Sequence, residues 1–164
     1  MKVALVGPEL EENLALRYIH ASVTAAGHDA AIFDFNAPEQ IDELARRIAA
    51  WDPECVGLSM VFTARGREFV SLAERLRTVG YRGHITAGGH FAAFHAAQLL
   101  RDCPAIDTII HGEGEEAMVE LLGSLWPGRC DRLPPARAVS GVSFRDACGK
   151  VVQATPRRNI ADLD

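Results

Sequence analysis

Four short stretches of this 164-residue chain carry the residue types from which a binding site or reaction centre can be built. They are Pro8-Glu9-Leu10, Ser59-Met60 with Thr63 close behind, Gly88-Gly89-His90, and Gly112-Glu113-Gly114-Glu115. Adjacent glycines remove two side chains from one place, which lets a bulky ligand approach the backbone and also suits a tight turn between a strand and a helix. Ser59 offers a hydroxyl to a ligand atom or to a neighbouring carbonyl. Glu113, Glu115 and Glu116 open a helical stretch, where the macrodipole favours carboxylates in any protein, so their acidity alone does not argue acid–base chemistry.

The metal-binding residue types fall into no ligand pattern. His90 and His95, the closest histidine pair, diverge by ~140° around a helix and cannot grip one ion from one face. His20, His28, His84 and His111 have no partner at a useful spacing. Cys55, Cys103, Cys130 and Cys148 form no CxxC or CxxxCxxC, so this chain alone builds no zinc or iron–sulfur site, and reduced thiols in the cytoplasm are the expectation. The net charge of −5 and the glutamates interleaved through Arg65 to Arg77 leave no basic stripe for nucleic acid. No run approaches the ~20 apolar residues of a membrane span.

The elements that must position those stretches follow from hydrophobic period. With 48% hydrophobic residues, a chain of this length can bury a single substantial core. Short apolar strands are expected at Lys2–Gly7, Ala30–Asp34, Cys55–Met60, His84–Ala87 and Thr108–His111. Helices are expected over Glu12 to Ala26, around Ile41/Leu44/Ala45/Ile48, around Phe69/Leu72/Ala73/Leu76, over His90 to Arg101, and around Met118/Leu121/Leu122/Leu125. This alternation predicts an α/β fold: a Rossmann-like (flavodoxin-like) five-stranded parallel sheet in the order 2-1-3-4-5. Past Trp126 the prolines and Gly128 break the pattern, and Ala138–Arg145 with Lys150–Ala154 read as a β-hairpin around Asp146-Ala147-Cys148-Gly149. The expected organisation is a core domain over 1–126 and a hairpin extension and linker over 127–164, leading toward a following domain.

In such a sheet, ligands bind beyond the carboxyl ends of the strands, where the strand order reverses. All four stretches open on that rim. Common occupants of the fold lack their signatures: no G-x-G-x-x-G follows the first strand, Gly7-Pro8-Glu9-Leu10-Glu11-Glu12 has the wrong charge to cradle a phosphate, and no aspartate ends the third strand as in a phosphoacceptor receiver.

The set resembles the cobalamin-binding domain of the cobalamin-dependent radical SAM enzyme family. The matching residues are Lys2–Gly7 with Pro8-Glu9, Val56-Gly57-Leu58-Ser59-Met60, Thr86-Ala87-Gly88-Gly89-His90, Ile106 through Glu115, and the hairpin around Val139 to Arg145 with the closing Asn159 to Asp164. The resemblance covers essentially the whole chain and implies a corrin lying across the rim, with a dimethylbenzimidazole tail inserted between the sheet and its helices. It implies that Gly88, Gly89 and His90 frame the mouth, that Ser59 and Thr63 give polar contacts beside Met60, and that Gly112, Glu113 and Gly114 flank the nucleotide. Pro8, Glu9 and Leu10 would face the lower side of the corrin.

Methionine-synthase-like and mutase-like cobalamin domains carry D-x-H-x-x-G after the first strand, whose histidine binds cobalt. Gly7 to Asn13 contains neither the aspartate nor the histidine, so the resemblance implies base-off cobalamin without a protein nitrogen on the metal, an arrangement suited to a methyl carrier. For the full protein it implies a downstream radical SAM domain in cis, with S-adenosylmethionine and a [4Fe-4S] cluster, and methyl transfer as the reaction type. Two alternatives stay open at this point: a standalone corrinoid carrier or sensor, and a flavodoxin-like module for another nucleotide-tailed cofactor.

Overall fold

The computed structural model describes residues 1–9, 13–61, 63–125, 139–153 and 157. The parallel strands are β1 (Lys2–Gly7), β2 (Asp29–Asp34), β3 (Cys55–Ser59), β4 (His84–Gly88) and β5 (Thr108–Ile110). The helices are α1 (Leu14–Ala25), α2 (Ile41–Trp51), α3 (Gly66–Thr78), α4 (His90–Phe94), α5 (Ala96–Asp102) and α6 (Glu115–Ser124), and an antiparallel pair, β6 (Val142–Arg145) and β7 (Val151–Val152), follows.

The sheet runs β2-β1-β3-β4-β5-β6-β7. Its first five strands have the order expected from the sequence, and the hairpin extends the same sheet instead of standing apart from it. Thr108, Ile109 and Ile110 pair with Phe144, Ser143 and Val142 across β5 and β6. Burying Val142 and Phe144 while satisfying the open edge of β5 drives that attachment. Arg145 reinforces it by donating to the carbonyls of Leu100 and Ile106, both at 2.5 Å.

Chain direction sorts the helices between the two faces. The crossovers from β2 to β3, β3 to β4 and β4 to β5 all advance the same way, so right-handed connections put α2, α3 and α4–α5 on one face. There Leu44, Ile48, Leu72, Leu76 and Leu100 pack against Val6, Val56, Leu58 and Ile85. The β1-to-β2 step runs the other way and places α1 on the opposite face, where α6 joins it over Leu5, Cys55 and Ile110. Two helices thus cover one face of the sheet, and the helices of three crossovers cover the other.

Local signals explain the boundaries. Asn13 caps α1, its Oδ1 accepting from the Leu16 amide at 3.2 Å. The single helix expected over His90 to Arg101 is broken at His95, which takes φ −105° and ψ 15° while its ring packs 4.6 Å from that of Phe91. At the amino end of the sheet, Arg77 donates to Asp107 at 2.6 Å and to the carbonyls of Gly83 and Ala105. The Ile85 amide donates to the same carboxylate, and the His84 ring meets Thr108 Oγ1 at 2.9 Å. Burial, the dominant influence, pushes the His84 pKa down to about 4. This network fixes the start of β4, about 13 Å along the strand from its rim end.

Candidate functional site

The face beneath α1 and α6 is hollowed at its carboxyl end. Side chains alternate along a strand, so Gly57 and Ser59 on β3 share this face with Thr86 and Gly88 on β4. Register places Ser59 beside Gly88 in an outer layer and Gly57 beside Thr86 in an inner one, with Leu5 next to Gly57. The layers are separated by about 6–7 Å. A cavity of about 490 Å³ opens above them, walled by Ala15, Leu16 and Ile19 of α1, by Glu115 and Met118 of α6, and by Ile110. Val61, His90, Ala93 and the loop Gly112-Glu113-Gly114 surround its mouth.

Small residues create this space. At Gly88 a Cβ would meet nothing closer than 3.8 Å, so its missing side chain is open volume. A Cβ on Gly57 would come within 3.1 Å of Leu5 Cδ2 and 3.5 Å of Met118 Cε, so this glycine sets the floor. Gly89 has a different task. Its φ of +92° belongs to glycine, and a Cβ there would stand 2.9 Å from the Met60 carbonyl oxygen. That residue turns β4 into α4.

The inner walls are hydrocarbon, and the mouth is polar. The Thr86 hydroxyl donates to the Thr108 carbonyl at 3.4 Å. Glu115 Oε2 is sealed from water without a hydrogen-bond partner among the described residues. An unpaired buried carboxylate oxygen is costly, and a donor brought by a ligand would relieve it.

Of the residues singled out from the sequence, Ser59, Gly88, Gly89, His90, Gly112, Glu113 and Gly114 line this one cavity. Met60 does not. Alternation turns it to the other face, where it is fully buried in the core, and only its backbone works at the rim: its amide donates to the Gly88 carbonyl and its carbonyl accepts from Phe91. Pro8 and Glu9 lie outside the cavity wall, in the loop after β1. Asn13 Nδ2 donates to the Pro8 carbonyl, the Glu9 amide donates to Asn36 Oδ1, and Arg17 pairs with Glu9 Oε2 at 2.9 Å. Leu10 and the Thr63 side chain lie outside the described residues.

Sequence reasoning missed the inner layer: Leu5, Gly57, Thr86 and the helix residues Leu16, Ile19 and Met118. The signal was there, because Gly57 and Thr86 stand two residues before Ser59 and Gly88. His111 turns toward the hairpin, its Nε2 2.7 Å from Ser143 Oγ, and burial lowers its pKa. Among the described residues no cluster of three His, Cys, Asp or Glu side chains is placed to hold a metal ion. No described helix is long and apolar enough to cross a membrane.

A doubly wound α/β domain with a side-chain-poor cavity at its carboxyl rim defines the class: a Rossmann-like domain with a ligand-sized pocket at the ends of its strands. Comparison with known proteins names the family. The B12 binding domain matches residues 3–122, and the chain belongs to that family. The hopanoid C-3 methylase of Methylococcus capsulatus is 30% identical over 79% of this chain and 25% of its own length. An uncharacterized methyltransferase of Pyrococcus horikoshii, PH0819, is 28% identical over 100% of this chain and 37% of its own. The chain therefore spans well under half the length of these curated relatives. In fold it resembles OxsB, a cobalamin-dependent S-adenosylmethionine radical enzyme solved with aqua-cobalamin and S-adenosylmethionine bound. The TM-score is 0.76 at 17% identity, covering 96% of this chain and 22% of that one.

Proposed function

We propose that this chain is the cobalamin cradle of a longer radical SAM enzyme of methyltransferase type, holding its cofactor base-off and without a histidine on cobalt. One observation carries the reading: the cavity between the sheet and α1/α6, left open at Gly88 and floored at Gly57, runs inward from the rim where a corrin would rest. Its dimensions, apolar walls and polar mouth fit a flat aromatic tail carried on a nucleotide loop. The absence of both Asp and His from Gly7 to Asn13 supports the histidine-free state.

In this reading Gly88 and Gly89 frame the entrance, Ser59 gives the tail a hydroxyl, and Gly112, Glu113 and Gly114 flank the sugar, with His90 beside them. Pro8, Glu9 and Leu10 lie beneath the corrin, and Thr63 and the Met60 backbone border it. When bound, cobalamin supplies a cobalt centre that can carry a methyl group. The chain's own residues bind and orient it and shield its tail from water. S-adenosylmethionine and a [4Fe-4S] cluster belong, on this proposal, to a domain following residues 127–164, with residues 1–126 forming the cradle. The relatives' greater length supports that arrangement.

The test is retention. The purified chain is incubated with hydroxocobalamin, passed over a gel-filtration column and examined by visible absorption. Co-elution with a base-off spectrum is expected; cobalamin emerging cleanly apart from the protein overturns the proposal.

A further inference from the structure

We propose that the outer face of α3 and α4–α5 is a self-association surface, on which a second copy of this chain docks about a two-fold axis. This face lies across the sheet from the cavity beneath α1 and α6. A groove of about 480 Å³ opens there between the helices, and Val70, Phe91, Leu99 and Cys103 give it an apolar floor. Gly66 shapes it: a Cβ at that position would collide with the Phe91 ring, so the missing side chain is what lets the ring lie against α3. Three residues along α4, Phe94 projects into solvent, 84% exposed, more than any other large apolar side chain among the described residues. A groove and a projecting ring on one face complement each other when two copies meet, because a two-fold axis offers each to the other.

The groove carries opposite charges at its ends. Helices α3 and α4–α5 both follow strands that end at the rim, so they run the same way, from the rim toward the amino end of the sheet. Arg67, in the first turn of α3, therefore stands near the rim, and Asp102, the last residue of α5, stands at the far end. Other arginines of this region are engaged, Arg65 with Glu68 and Arg75 with Asp42. Arg67 and Asp102 line the groove without an ion pair among the described residues. A two-fold axis running along the groove would set like charges against each other. An axis crossing it sets Arg67 of each copy toward Asp102 of the other, and complementary charge selects that arrangement. Phe94, close to the rim, then comes over the far end of the opposite groove, where Leu99 and Cys103 form the floor.

Sedimentation velocity of the 164-residue chain over about 1–300 μM tests the surface, the range suited to a contact at the small end of protein interfaces. The sedimentation coefficient should rise with concentration from that of a monomer to that of a dimer. Arg67, Phe94 and Asp102 are all exposed, so substitutions there leave the core untouched. Phe94→Ser should raise the midpoint concentration at least about 10-fold by removing the anchor. Arg67→Glu and Asp102→Arg should each raise it by about 10-fold or more, because each brings like charges together. The decisive sample is an equimolar mixture of those two single variants. A dimer with one copy of each has both ion pairs restored in reversed sense, so the mixture should associate within about 3-fold of the wild-type midpoint.

A chain that sediments as a monomer at every concentration overturns the inference; that is also the outcome if the groove serves a segment of a longer form of the protein instead. A dimer that none of the three variants weakens lies on another face and overturns it equally. So does a mixture that associates no better than its components. None of these results bears on the corrinoid reading, whose own test is cobalamin retention.

Discussion

Gly88 and Gly89 are adjacent, and the structure gives them opposite consequences when substituted. A side chain at Gly88 projects into the slot, where a Cβ has no neighbour within 3.8 Å. Gly88→Leu therefore fills space instead of colliding. Partial burial of the leucine should leave stability unchanged or raise it by up to about 2 kcal/mol, the scale of an apolar side chain removed from water. Cobalamin retention should fall at least about 100-fold, because the leucine occupies what the tail needs; that corresponds to about 2.7 kcal/mol of binding energy.

Gly89→Ala reverses the pattern. At φ +92° and ψ 170° the residue lies in a region essentially reserved for glycine, costing roughly 1–3 kcal/mol. The new methyl also stands 2.9 Å from the Met60 carbonyl oxygen, and backbone must move to admit it, at a further cost of about 1–3 kcal/mol. Together these would remove a large part of the 5–15 kcal/mol typical of a domain. Urea denaturation and gel filtration with hydroxocobalamin, run on both variants, separate the two effects. Gly88→Leu retaining cobalamin with wild-type affinity, or unfolding as readily as Gly89→Ala, would refute the assignment of the slot.

Three further outcomes follow from the framework around the site. Because burial holds His84 at a pKa of about 4 against 6.5 when unfolded, the unfolded chain binds the extra proton between those values. That contribution is intact above about pH 6.5 and is lost as pH falls toward 4, on the order of 3 kcal/mol by linkage; urea midpoints from pH 7 to 4.5 should flatten in His84→Gln. Arg77→Met leaves the Asp107 carboxylate, 5% exposed, without its guanidinium, and should cost about 3–5 kcal/mol. Adding Asp107→Asn should recover part of that loss in a double-mutant cycle. Arg145→Ala removes the bonds to Leu100 and Ile106 and should lower stability by about 1–3 kcal/mol, with faster amide exchange across β6 than across β1.

Much of the architecture can be read from residue order because it depends on local period. The runs at Lys2–Gly7 and Cys55–Ser59, separated by helical stretches, require parallel strands, and right-handed crossovers then assign α1 to one face and α2, α3 and α4–α5 to the other. The outer ring of the site is legible for the same reason, since Ser59 and Gly88 end strands and Gly112 follows one closely, so all three open on the rim. That the Met60 side chain turns into the core was not legible, because proximity to the rim says nothing about which way the next side chain points. The break at His95 was equally hidden: the apolar spacing of Ala92, Ala96, Leu99 and Leu100 is helical on both sides of it.

By itself the sequence determined the parallel order of the strands, the edge on which their loops open and the glycines along that edge, because each depends on period, handedness or the lack of a side chain. The tertiary structure alone decided that α6, which belongs to no crossover between parallel strands, lies with α1. It also decided that Leu5, Gly57, Thr86 and Met118 meet as one floor and that the hairpin completes the sheet. Those outcomes depend on register and packing between segments far apart in the chain, and no local period records which distant side chains will share a wall.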